Sequence, residues 1–235
     1  MWTWKSEDTN PKAVVLIVHG AGEHHGRYHW LREQLLEQGY HIVMGDLPGQ
    51  GKTRGKRGHI DSFNQYVQAV KLWYDEAVKY ELPIFIIGHS MGGLITIRSL
   101  MEKDMRVKGV ILSSPLLKIL SEPPVYKKAA SKVLHRLLPT VTSRSGSNTE
   151  LVTRNEDIRN DYLKDEYRVT RVSMRWYQEI TKAMLIAKRD YEKFPNVPLL
   201  VMQAGDDHIV SSTATNYWFN TLNISEKYYK EWDGL

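Results

Sequence analysis

The chain has 235 residues, a formal net charge of +5 and 42% hydrophobic residues, enough for one α/β domain with a sizeable core and an insertion. It contains no cysteine, which excludes a disulfide framework and a thiolate metal site and suits a cytoplasmic protein. The start, Met1-Trp2-Thr3-Trp4-Lys5-Ser6-Glu7, lacks the apolar core of a signal peptide, and no run is long enough to span a bilayer.

Trp2 and Trp4 read as part of an edge strand. Ala13-Val14-Val15-Leu16-Ile17-Val18 is a continuous apolar run, the pattern of a strand buried on both faces of a parallel sheet. It ends in the glycine-rich loop His19-Gly20-Ala21-Gly22-Glu23-His24-His25-Gly26-Arg27-Tyr28. A helix is predicted from Trp30 to Gln38, stopped by Gly39. The strand His41-Ile42-Val43-Met44 runs into a polar loop over 45–55, and a second helix runs from Ser62, its expected N-cap, to Lys79. Pro83 to Ile87 is the next strand, and a helix covers Leu94 to Met101. Val110-Ile111-Leu112-Ser113-Ser114 is another buried strand, closed by Pro115.

The strand–helix alternation then lapses. Tyr126 to Leu138 reads as helix and Tyr162 to Lys188 mostly as helix, with a Ser/Thr-rich loop over Thr140–Thr149 between them. The sheet resumes at Leu199–Gln203, followed by a helix over Thr213–Thr221 and a last strand over Lys227–Trp232. The class is therefore α/β: a doubly wound, mostly parallel sheet over 1–117 and 194–235, interrupted by a helical cap at 118–193. That cap carries 16 Lys/Arg against 10 Asp/Glu, so the positive charge is concentrated in it. A basic face fits an anionic substrate or transient contact with an anionic membrane surface, and equally a solvated helical surface. Interspersed acidic residues and the lack of a binding motif speak against nucleic acid. Aromatic residues of the cap, Tyr126, Tyr162, Tyr167, Trp176 and Tyr177, either line a lipid channel or pack the cap onto the sheet.

The chemistry centres on Gly88-His89-Ser90-Met91-Gly92. Gly-x-Ser-x-Gly between a strand and a helix is a nucleophile elbow, with the serine held in a strained backbone and its Oγ exposed above the sheet. The turn requires glycine at 88 and 92. A serine alone is a poor nucleophile; it needs a base, an acid to orient the base, and N–H donors for the oxyanion. In this fold the acid follows a later strand. Asp207 fits, with Asp206 as its rival for the role and a turn-making or capping residue otherwise. One oxyanion donor is the residue after the nucleophile, Met91; the other comes from the loop after the first long strand, where Ala21 is placed. Three other motifs fail. Gly51-Lys52-Thr53 lacks the first glycine of a phosphate loop, His25 breaks a dinucleotide fingerprint, and Gly26 lies between His25 and His29, against a helical metal pair. No cofactor or metal is implied.

The first loop resembles the His-Gly-x-Gly-Glu-His-x-x-Arg-Tyr signature of the monoglyceride lipase and lysophospholipase branch of the α/β-hydrolase family, including its Bacillus-type lysophospholipase-like members. Asp46-Leu47-Pro48-Gly49-Gln50-Gly51, Gly88-His89-Ser90-Met91-Gly92-Gly93, Asp207-x-x-Val210 and Thr153-Arg154-Asn155 are similar to further motifs of that branch, the last departing from Thr-Arg-Asp. The resemblance implies an α/β-hydrolase fold, serine carboxyl-ester hydrolysis of monoacyl lipids, and a cap that forms an acyl-chain channel. The branch's catalytic histidine follows the last strand. None of the nine histidines here has that position. The expectation is that the native protein continues beyond Leu235 with the base, and that the chain 1–235 turns over poorly. The alternative is a non-catalytic lipid-binding protein that has lost the base.

Overall fold

Apolar, β-branched runs become the inner strands of a seven-stranded sheet. The computed structural model describes residues 1–120, 138–144 and 151–234. The strands are β1 (Trp2–Trp4), β2 (Ala13–Val18), β3 (Tyr40–Met44), β4 (Ile84–His89), β5 (Gly109–Ser113), the outlying pair β6 (Thr142–Arg144) and β7 (Arg171–Ser173), then β8 (Leu199–Ala204) and β9 (Lys227–Trp232). The helices are α1 (His29–Glu37), α2 (Asn64–Val78), α3 (Met91–Glu102), α4 (Glu156–Lys164), α5 (Met174–Arg189) and α6 (Ser212–Thr221). The main sheet has the order β1-β3-β2-β4-β5-β8-β9. Only β1, the tryptophan edge strand, is antiparallel. This is the mostly parallel sheet that the alternation predicts.

Crossovers leave β2 and β4 in opposite directions, so the carboxyl ends of these neighbours flank the switch point where open α/β sheets hold their ligands. In register, Val18 lies opposite Gly88. The first glycine-rich loop and the elbow therefore emerge side by side.

The two faces of the sheet differ. One carries the main core, to which α2, α3, α5 and α6 all contribute buried side chains. Every residue from Met91 to Leu100 is buried, as suits a helix enclosed on all sides. On the other face α1 lays Leu31, Leu35 and Leu36 on Val15, Ile17, Ile42 and Met44. β2 is wholly buried, whereas β4 and β8 alternate buried with half-buried residues.

Helix α2 begins at Asn64 rather than Ser62. Ser62 Oγ accepts from Asn64 N, while Gln65 Oε1 accepts from the N–H groups of Asp61 and Ser62, a reciprocal capping arrangement. The helix expected over Tyr126–Leu138 falls outside the described residues, apart from Leu138 itself. The one expected over Tyr162–Lys188 is broken: α4 ends at Lys164, β7 intervenes, and α5 starts at Met174. Val169, Thr170 and Val172 are β-branched, and Ser173 Oγ caps α5 by accepting from Trp176 N at 3.1 Å. The buried face of α5, with Trp176, Ile180, Ala183, Met184 and Ala187, packs on α3 and belongs to the main core.

Candidate active site

Ser90 stands between β4 and α3 with φ 50° and ψ −116°, a left-handed backbone for a residue with a side chain. Its N–H donates to Ser113 O at 2.9 Å, and its carbonyl accepts from the N–H groups of Leu94 and Leu116. The backbone is thus fixed on both sides while the side chain is half-buried. The glycines are required by close approach. A Cβ on Gly92 would overlap the carbonyl oxygens of Val18 and His19, and one on Gly88 would lie 2.6 Å from Thr96 Oγ1. Gly92 lets the amino end of α3 press against the end of β2.

That contact brings the first loop to the serine. A Cβ on Gly20 would lie 3.3 Å from the ring of His89. Ala21, exposed, follows Gly20 in that loop, and Met91, fully buried, follows the serine at the start of α3.

Buried polar groups hold the loop. Glu23 Oε2 accepts from Gly20 N at 2.8 Å and from the Tyr28 hydroxyl at 2.7 Å. Burial raises the pKa of Glu23, but the charge of His89 and the Tyr28 hydrogen bond outweigh it and hold the carboxyl below the usual glutamate value. His19 Nδ1 donates to Gly20 O at 2.8 Å, and its Nε2 accepts from Leu47 N at 3.0 Å. Burial holds this ring below the ordinary histidine pKa, so it is a neutral cross-link. Gly22 N donates to Gln50 Oε1, and Asp46 Oδ1 accepts from His25 N and Nδ1. Asp46 Oδ2 accepts from Lys52 N. Burial would raise the Asp46 pKa, but the N–H groups of His25 and Lys52 and the His25 ring hold it below the usual value. Trp2 stacks on His25 at 3.6 Å. The segment Asp46–Gly51 is the anchor of the first loop.

The turn that holds the two candidate acids, Asp206 and Asp207, follows β8. Asp207 Oδ1 accepts from Ile209 N and Val210 N at 2.9 and 2.8 Å, and its Oδ2 accepts from Gln203 Nε2 at 3.2 Å. Asp206 points outward to Arg154 at 2.7 Å and faces His208 at 3.6 Å. Of the two rivals, Asp207 is the one built into the turn. β5 lies between β4 and β8, with His89 opposite Ser113 and Ser113 opposite Met202, so Ser90 and Asp207 sit at the same edge of the sheet.

The described histidines have other partners. His24 Nε2 donates to Asp165 at 2.9 Å, and His25 bonds Asp46. His29 meets Arg32, and His41 accepts from Ser6 N. His59 bonds Ser173, and His89 Nδ1 lies 3.2 Å from Ser113 Oγ. With His19 and His208, that accounts for the eight among the described residues. His25 and His29 thus have separate partners.

A family model described as "Serine aminopeptidase, S33" (Hydrolase_4) matches residues 9–235. The chain belongs to this family. It is 46% identical to phospholipase YtpA of Bacillus subtilis, over all of this chain and 90% of that protein. It is 30% identical to human monoglyceride lipase, with 98% of this chain and 77% of that protein covered. The crystal structure of the Paleococcus ferrophilus monoacylglycerol lipase superposes with a TM-score of 0.88 at 30% identity, covering 99% of this chain and 88% of that one. The fold is that of the α/β-hydrolases.

Seen within this family, the Thr153-Arg154-Asn155 stretch has a local role: Asn155 caps α4 by accepting from Asp157 N and Ile158 N. Two residues escaped the sequence reading. Ser114, at φ 41°, follows the end of β5, and its N–H donates to Met202 O in β8. Gln203, buried in β8, meets Asp207. Neither belongs to a motif, though an amide at the inward end of an apolar strand was a visible anomaly.

Proposed function

We propose that this hydrolase cleaves carboxyl esters of monoacyl lipids, lysophospholipids or monoacylglycerols, through an acyl-enzyme on Ser90. The observation that carries the reading is the left-handed Ser90 at the switch point, pinned beside the Gly20–Gly22 loop. Holding a side chain there costs about 1–3 kcal/mol of backbone strain, which suits a residue needed at that apex for chemistry. Ser90 Oγ attacks the ester carbonyl, and the Ala21 and Met91 N–H groups receive the oxyanion. The tetrahedral intermediate expels glycerol or a glycerophospho-alcohol, which takes the proton from the base. Water then releases the fatty acid by the reverse sequence. Asp207 orients the base through Oδ2. We take the base to be a histidine that donates to this oxygen. Gly205 N donates to Trp232 O, so residues following β9 enter next to the acid turn.

The family description names an aminopeptidase, whereas the relatives compared above are named as a phospholipase and a monoglyceride lipase, which favours an ester. The residues of 118–193 are proposed as the cap over the acyl chain, with α5 as its footing on α3. Its positive charge favours a phosphate-bearing lipid and contact with an anionic membrane surface. Among the described residues no helix is long and apolar enough to cross a membrane.

The engagement of eight histidines elsewhere is the observation that favours a lipid binder without catalysis. A fluorophosphonate probe and paired lysophosphatidylcholine and monoacylglycerol assays separate the two readings. They compare the chain 1–235 with one extended at its carboxyl end. Rapid labelling of Ser90 and lipid turnover in the extended chain support the enzyme. An inert serine in both chains supports the binder, and equal rates in both would place the base among the histidines already present.

A further inference from the structure

Gln203 is 1% exposed, at an inward position of β8 that its neighbours Leu199 and Val201 fill with aliphatic side chains. A buried amide is costly unless fully hydrogen-bonded. This one is not. Its Nε2 lies 3.1 Å from Ala204 O, 3.2 Å from Asp207 Oδ2 and 3.3 Å from Ser114 Oγ, while its Oε1 is buried without a hydrogen-bond partner. Turning the amide over would not help. It would set Oε1 against the Ala204 carbonyl and the Asp207 carboxylate, both acceptors. A leucine would fill the site with no orphaned acceptor, so packing alone does not account for glutamine.

Asp207 shows what the amide does. Oδ1 is held by two backbone N–H groups, and Gln203 holds Oδ2. The carboxylate plane is thereby fixed, leaving Oδ2 room to accept one more hydrogen bond. The same amide reaches Ser114, whose hydroxyl lies 3.4 Å from Ala204 N and whose N–H donates to Met202 O. The preceding residue, Ser113, accepts from Ser90 N through its carbonyl. Two sets of hydrogen bonds, joined through the Ser113–Ser114 peptide, thus connect the backbone of Ser90 to the Asp207 carboxylate.

We propose that Gln203 is a positioning residue. Its amide orients the Asp207 carboxylate toward the base and sets its place relative to Ser90. The inference rests on reading Asp207 as the acid. The test uses the full native protein and ester hydrolysis. Gln203→Leu should lower kcat about tenfold with KM unchanged and thermal stability kept or raised. Gln203→Glu adds a charge beside the acid and should move the acid limb of the kcat/KM profile to higher pH. Wild-type kcat in folded Gln203→Leu overturns the proposal. So does an unmoved pH limb in Gln203→Glu if Gln203→Leu loses activity only in step with folded protein. Asp207→Asn, run in parallel, should cost about 10⁴ in kcat. If it retains full activity, the assignment of the acid fails, and the role of Gln203 with it. If it does not while folded Gln203→Leu does, only the role of Gln203 fails.

Discussion

Ser90 and Gly92 are two residues apart and their substitutions should have opposite effects on stability. Ser90 holds φ at 50°, where a side chain is strained and glycine is not. Ser90→Gly should therefore unfold at higher urea concentration than Ser90→Ala, by about 1 kcal/mol, although both lose fluorophosphonate labelling. If the two variants unfold at the same midpoint, the apex is not strained. Gly92→Ala places a methyl group against the backbone oxygens of Val18 and His19, where no side-chain rotation gives relief. It should cost about 1–3 kcal/mol or more, measured by the same titration, and slow labelling of Ser90 by displacing the loop that holds Ala21. The need for both glycines is legible from the motif, but its cause at Gly92 is not. The oxygens that exclude a Cβ belong to a strand more than seventy positions earlier, and sequence patterns do not encode such crossings.

The first loop and Asp46–Gly51 act as one element because His19 and Asp46 tie them together, while Glu23 closes the first loop on itself. All three have folded-state pKa values below the ordinary ones. The buried neutral His19 contributes stability that is present above the ordinary histidine pKa of 6.5 and is lost as pH falls below it, because the unfolded ring takes up a proton first. Glu23 and Asp46 contribute stability that is present above their ordinary values of 4.5 and 3.8 and is lost as pH falls through their depressed folded values. The urea midpoint should accordingly drop in two stages on acidification, the first below pH 6.5. His19→Asn leaves Leu47 N without its acceptor, costs about 1–3 kcal/mol at pH 7 and shrinks the first stage, to which His41, also held below its ordinary value by burial, adds the remainder. An unchanged first stage in that variant would assign it to another group. The strands themselves, the Gly-x-Ser-x-Gly turn and the turn at Asp207 are readable from apolar runs and turn residues, since each is a local pattern. The role of Asp46–Gly51 is not, because it depends on which loops the sheet order places together. The break between α4 and α5 was missed because helical periodicity outweighed three β-branched residues and a capping serine.

Across the whole molecule, residues 162–173 grip the core at those same loops. Asp165 accepts from His24 at 2.9 Å and lies 3.7 Å from Arg27, with all three side chains largely buried. The guanidinium groups of Arg27 and Arg168 lie 4.4 and 4.7 Å from the Tyr162 ring. Val169 N donates to Gly22 O, and Ser173 N to Gly58 O. By contrast, Arg154 and Asp206 join the two regions through side chains 61% and 53% exposed. An exposed pair contributes about 0–1 kcal/mol and is screened by salt, whereas breaking a buried one leaves unpaired groups behind. Asp165→Ala should thus destabilise the protein by about 1–3 kcal/mol, an effect little changed by 0.5 M salt. It should also speed limited trypsin cleavage between residues 151 and 173. Arg154→Ala should do neither. Through the Val169–Gly22 hydrogen bond a loosened 162–173 segment also frees the loop carrying Ala21, the proposed oxyanion donor, so Asp165→Ala should lower kcat/KM for p-nitrophenyl esters even with a short acyl group. A loss confined to long-chain substrates would show instead that this contact serves the cap alone and leaves the oxyanion loop undisturbed.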